Sequence, residues 1–105
     1  MNTSVIYKAL KCYENNLLIF PDRYSQYRLN SIHRCLDYLN NGGIESKEWI
    51  LNEYSILIEA MEFYRNVLKE ELYNAMIADD KYEMDNIRNE RNLLNKYINF
   101  IKKYS

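Results

Sequence analysis

An all-α fold follows from three features of the sequence. Two adjacent glycines and a single proline serve 105 residues, far below average usage, so turns are few. Apolar residues recur at helical spacing through most of the chain, and the stretch from Ser46 to Ala78 contains neither breaker. The length suits one domain with a core of its own. The expected architecture is an antiparallel four-helix bundle built around a long central third helix, with helices at about 3–19, 23–40, 46–78 and 81–104.

Asn2 or Thr3 can cap the first helix, whose stripe is Ile6, Leu10, Tyr13, Leu17 and Phe20, widened by Val5, Ala9 and Cys12. Tyr7, Lys8, Lys11 and Glu14 belong to its outer face. Pro21 biases Phe20 away from helical dihedrals and stops the element there. Asp22 or Ser25 can cap the second helix, which buries Leu29, Ile32, Leu36 and Leu39 with Cys35 beside them. Asn40-Asn41-Gly42-Gly43 ends it, since glycine takes the left-handed conformation of a helix C-cap.

Ser46 then caps the central helix, and Ile44 can staple against Ile50. One seam of that helix runs Ile50, Tyr54, Leu57, Met61, Tyr64, Leu68, Ala75. A second runs Trp49, Ile56, Ala60, Phe63, Val67. Only a narrow stripe of Glu48, Asn52, Ser55, Glu59, Glu62 and Asn66 is left for water, so the helix needs neighbours on more than one side. Asp80 and Glu83 have capping-box spacing and start a fourth helix, with a seam of Met84, Ile87, Arg91, Leu94, Ile98 and Ile101 flanked by Leu93, Tyr97, Phe100 and Tyr104. No glycine or proline separates the last two helices, so one continuous rod competes with a hairpin. The central helix also outruns its neighbours, leaving the end around Glu70, Glu71, Asp79 and Asp80 poorly covered, and homodimerisation through that end is expected.

The net charge of −1 gives no general attraction to nucleic acid or anionic lipid. Its distribution is uneven: residues 41–85 carry eleven acids and four bases, between two mildly basic ends. Part of this lets basic helices lie beside the acidic one. No apolar run approaches the roughly 20 residues that span a bilayer, and the N-terminus has no secretory signal pattern. A cytoplasmic location without membrane attachment is expected, with Cys12 and Cys35 as small buried hydrophobes. Two cysteines and one histidine cannot form a structural zinc site without carboxylates, and no cofactor or metal is expected. Asn, Ile, Tyr and Lys fill about two-fifths of the chain, the coding bias of an AT-rich genome such as that of a low-GC bacterium or its phage.

Arg23, Tyr24, Tyr27, Arg28, Arg34 and Tyr38 give the second helix a surface of arginine and tyrosine, with several pairs four apart. Tyrosine and arginine are the residue types enriched at protein-binding hot spots. Guanidinium groups with stacking rings also suit a nucleotide or a nucleic acid. Internal cation–π pairing would use the same residues with no ligand at all. The eleven tyrosines exceed what the core stripes need, which favours an interaction surface. A second surface is acidic: Glu59, Glu62, Glu70, Glu71, Asp79 and Asp80.

Two spacings resemble enzyme motifs. Arg28-Leu29-Asn30-Ser31-Ile32-His33 resembles the motif of the HEPN superfamily, small helical proteins that include dimeric ribonucleases. That resemblance covers two residues and implies His33 as proton carrier with Arg28 on the scissile phosphate. Leu29 departs from the polar residue usual there. Glu59-x-x-Glu62 with Asp80-x-x-Glu83 and Asp85 loosely resembles the acidic motifs of all-α nucleotide pyrophosphohydrolases, which implies Mg²⁺ held between helices. A solvated acidic face and a helix cap explain the same carboxylates. A helix-turn-helix would place Glu45, Glu48 and Glu53 at the start of its recognition helix, against phosphate. The reading favoured is a small non-catalytic helical binding protein of inhibitor, immunity or adaptor type, acting on an unidentified protein partner. Nucleotide or nucleic-acid binding by the second helix ranks next, and a HEPN-like ribonuclease third.

Overall fold

The computed structural model describes residues 4–41 and 47–103, and every regular element among them is helical. The elements are α1 (Ser4–Ile19), α2 (Ser25–Asn40), α3 (Lys47–Asn52), α4 (Tyr54–Ile77) and α5 (Lys81–Lys102). The expected caps at Asn2, Thr3 and Ser46, the Gly42-Gly43 C-cap, the Ile44 staple and Tyr104 lie outside the described residues.

α4 and α5 form a hairpin and not a rod. Three residues, 78–80, reverse the chain, after which Lys102 returns to Glu62 at 3.5 Å and Arg65 meets Asn95 at 3.0 Å. Lacking a glycine, the turn uses Asp79 in the left-handed region at φ 52°. Asp79 N–H donates to the Met76 carbonyl at 3.2 Å and Asp80 N–H to that of Ala75 at 3.0 Å, the paired bonds of a Schellman motif. Asp80 then caps α5, its carboxylate accepting from Glu83 N–H at 3.1 Å.

α1 packs against α2, α4 and α5, and α2 lies across α1 and α4. The shared core holds Ile6, Leu10, Ile32, Ile50, Leu57, Met61, Leu68, Leu94, Ile98 and Ile101, all but sealed from solvent. These residues come from the seams of the sequence, so helical periodicity alone orients the elements. At the start of α2 the cap position falls to Tyr24, which makes no side-chain cap bond, and the two expected caps instead bond within the turn before the helix. Asp22 accepts from Tyr24 N–H at 2.8 Å, while Asp22 N–H donates to the Ser25 hydroxyl at 2.7 Å.

Three expectations need correction. The long third helix is divided: Glu53 leaves helical dihedrals at φ −112°, ψ 20°, separating the short α3 from α4. Hydrogen bonds from Glu53 N–H to the Trp49 carbonyl and from Leu57 N–H to the Glu53 carbonyl, both 3.0 Å, keep the two pieces joined. Among the described residues the bundle is thus five packed helices and not four. Phe20 does not join the core; it is 71 % exposed beside the exposed Leu18 and Ile19, at the end of α1 where Pro21 turns the chain. Glu14, expected on the outer face, is buried between α1 and α2.

Candidate functional site

α2 and α4 enclose a groove of about 370 Å³. Tyr24, just before α2, joins Tyr27, Arg28, Ser31 and Arg34 of α2, while Asn52, Glu53, Ser55, Ile56 and Glu59 form the opposite wall. The helical repeat selects these residues: 27, 28, 31 and 34 lie on one face of α2, and 52, 55, 56 and 59 on one face of the facing segment.

The groove's charges are matched across the two walls. Arg28 Nε donates to Glu59 at 3.3 Å and its Nη1 lies 3.6 Å from Asp22. Glu59 also accepts from the Tyr13 hydroxyl at 3.2 Å. Deeper in, Arg34 Nε donates to Glu53 at 2.7 Å, and the Ser31 hydroxyl donates to the same carboxylate. Glu53 is buried, yet Arg34 keeps more than half of its side chain in water. The hydrogen bond to Glu53, and then its charge, hold the Arg34 guanidinium above its ordinary value. Burial and then the Glu59 charge push the Tyr13 phenol up, so it stays a donor.

Tyrosine rings dominate what is left open. Tyr27 is 77 % exposed and Tyr24 is exposed beneath two cations, Arg23 at 5.4 Å and Arg28 at 5.9 Å from the ring centroid. Arg23, which precedes α2, meets its sequence neighbour Tyr24. Tyr38 lies elsewhere, stacked on Trp49 of α3 at 4.8 Å. The groove therefore collects Tyr24, Tyr27, Arg28 and Arg34 and leaves out Arg23 and Tyr38. Of the acidic set it takes Glu59 alone. Glu62 pairs with Lys102, and Glu70, Glu71, Asp79 and Asp80 lie toward the α4–α5 turn.

The chain matches no known family. Comparison with family models, curated proteins and solved structures finds no similar protein. Function has to be argued from the surface itself.

The enzyme-like spacings do not converge. His33 Nε2 faces Glu14 at 2.8 Å on α1, while Arg28 is committed to Glu59 on α4. Residues five apart on a helix stand about 140° apart, so the two serve different interfaces. Glu14 lies between His33 and Lys11, each at 2.8 Å, and the Lys11 hydrogen bond leads in holding its carboxyl below the ordinary range. Asp80 is occupied as a cap, and no group of three or more His, Cys, Asp or Glu among the described residues is arranged to hold a metal ion. Cys12 is half-buried and Cys35 buried; burial pushes the Cys35 thiol up to about 12, which suppresses thiolate chemistry. No helix among the described residues is long and apolar enough to cross a membrane.

Glu53 was hidden by its residue type. The seam Trp49, Ile56, Ala60, Phe63 has a seven-residue step where every other step is three or four, and Glu53 fills the vacancy. A polar residue on an apolar seam was the available signal.

Proposed function

We propose that the protein is a non-catalytic binding module of the inhibitor, immunity or adaptor class, which engages a protein partner through the α2–α4 groove. One observation carries this reading: Arg28 and Arg34 are answered by Asp22, Glu59 and Glu53, whereas Tyr24 and Tyr27 project into solvent. A phosphate would have to displace carboxylates to reach either guanidinium, and the groove's two arginines and two glutamates give no net field to draw it in. Large rings at low entropic cost, beside pre-organised charge pairs, are what protein hot spots use.

Photo-crosslinking in the native host tests the proposal. A benzophenone side chain at position 27 should yield a discrete protein adduct that disappears in the Tyr24→Ala background. The same probe at exposed Tyr7 on α1 should yield none. In parallel, binding of single-stranded RNA and DNA is measured between about 50 and 200 mM salt. Tight binding that collapses with salt and vanishes in Arg28→Ala would establish the nucleic-acid reading instead. RNA cleavage abolished by His33→Ala, with the helical spectrum intact, would establish the ribonuclease.

A further inference from the structure

A second surface stands apart from the groove, where the α4–α5 hairpin outruns α1. α4 has 24 residues against 16 in α1, about 12 Å more helix. On this overhang Tyr73, Met76 and Ile77 occupy one face of α4 at i, i+3, i+4 spacing, and Ile77 is 69 % exposed. Tyr82, 77 % exposed, follows on the first turn of α5. Apolar side chains of this size normally face a core or a partner.

The surroundings are anionic and unanswered. Residues 66–85 hold six acids and two bases, a net charge of −4. Glu14, Glu53, Glu59, Glu62 and Glu90 each meet a cation. Among the described residues Glu70, Glu71, Asp79, Asp80 and Glu83 form no ion pair. Desolvation, and then the charges of Glu83 and Glu90, hold the Glu71 carboxyl above its ordinary value. Two shallow hollows flank the stripe. One is lined by Lys69, Glu70 and Tyr73 on the outer face of α4, the other by Glu71, Ala75, Asp80, Glu83 and Ile87 between the helices.

We propose that this overhang docks a cationic amphipathic helix of another protein, its apolar face on Tyr73, Met76, Ile77 and Tyr82 and its basic residues toward Glu70, Asp79, Asp80 and Glu83. Charge selects the occupant. A second copy joined about a two-fold axis would set −4 against −4, the arrangement that opposes the expected homodimer. Anionic lipid and nucleic acid are repelled for the same reason. A helix suits the geometry because anchors at i, i+3, i+4 on α4 meet anchors of the same period, and Met76 adapts to what it meets. The α4 axis carries Ser55 of the groove and Tyr73 of the overhang about 27 Å apart, so both surfaces can be occupied at once. With the groove reading the molecule is an adaptor; docking at the overhang itself stands whether or not that reading does.

The test uses the full chain and designed peptides about five turns long. One is a leucine–lysine amphipathic helix, the second a scramble of identical composition, and the third replaces lysine by glutamate. Amide shifts of isotope-labelled protein should move at residues 70–85 with the first peptide only. Affinity should fall about tenfold in Tyr73→Ser/Ile77→Ser, and by a similar factor in Glu70→Gln/Glu83→Gln or on raising salt from about 50 to 200 mM. These side chains are exposed, so the variants keep the fold, which their helical spectra check. Equal binding of the scramble, shifts confined to the groove, or no binding by the first peptide would overturn the proposal. So would a dimer, seen by light scattering, that Ile77→Ser dissolves.

Discussion

Replacing Glu53 by alanine tests whether the α2–α4 contact depends on a buried carboxylate or on an exposed ion pair. Glu53 accepts from the Ser31 hydroxyl, which is itself buried, and from Arg34 Nε at 2.7 Å. A hydrogen bond to a buried charge contributes roughly 1.5–3 kcal/mol, since its loss strands the Ser31 hydroxyl without water. The Arg34 side chain is 58 % exposed, so solvent replaces its lost partner and the ion pair contributes only about 0.2–1 kcal/mol. Glu53→Ala should therefore cost roughly 2–3 kcal/mol, on the order of 10–20 °C in Tm for a chain of this size. Double-mutant cycles by urea denaturation separate the partners: coupling of Glu53 to Ser31 should exceed its coupling to Arg34. The one tryptophan, Trp49, adds a local readout because it stacks on Tyr38 across the α2–α3 contact. Its fluorescence should shift in Glu53→Ala if the carboxylate holds α3 at its angle to α4. A loss below about 0.5 kcal/mol, or a larger Arg34 coupling, would refute the assignment of the buried bond as the dominant one.

Three further outcomes are expected. Asp79→Gly should stabilise by about 0.5–1 kcal/mol, because a left-handed φ of 52° is unfavourable for a residue with a Cβ, whereas Asp79→Asn should gain less; equal gains in thermal melts would trace the effect to charge instead. Glu14, whose folded value lies below the ordinary 4.5, contributes stability that is complete above that pH and is lost as pH falls through the folded value, so the Tm gap between wild type and Glu14→Gln should shrink on acidification; a gap independent of pH would sink this assignment. Cys35, with a thiol pushed up to about 12 inside the core, should react with a disulfide reagent only on unfolding, and Cys12 sluggishly in the native state; rapid titration of both thiols would contradict that burial.

Periodicity made the helices, their core faces and the Asp80 cap legible, because each is a local consequence of 3.6 residues per turn or of one side chain meeting the next turn's amides. The Schellman turn was not legible: its usual glycine is Asp79, so the composition rule had nothing to detect. Glu14 and Glu53 were hidden for another reason. Hydropathy assigns a carboxylate to solvent, and burial becomes tolerable only when another helix brings His33, or Ser31 and Arg34, to meet it. Phe20 fails in the opposite direction, continuing an apolar stripe into the exposed end of α1. At the groove the sequence supplied residue types without partners. Arg28 and Glu59 are 31 positions apart, and only the packing of α2 on α4 turns a would-be phosphate ligand into half of an ion pair.

Helix length then determines where charge is left over. Where α4 overlaps its neighbours, its acids are answered: Glu59 by Arg28 of α2, Glu62 by Lys102 of α5. Lys8 of α1 answers Glu90 of α5 within the same overlap. Toward the α4–α5 turn Glu70, Glu71, Asp79, Asp80 and Glu83 meet no basic side chain among the described residues, and Tyr73, Met76, Ile77 and Tyr82 stay exposed. The basic–acidic–basic order of the sequence is thus consumed at one end of the molecule and exposed at the other.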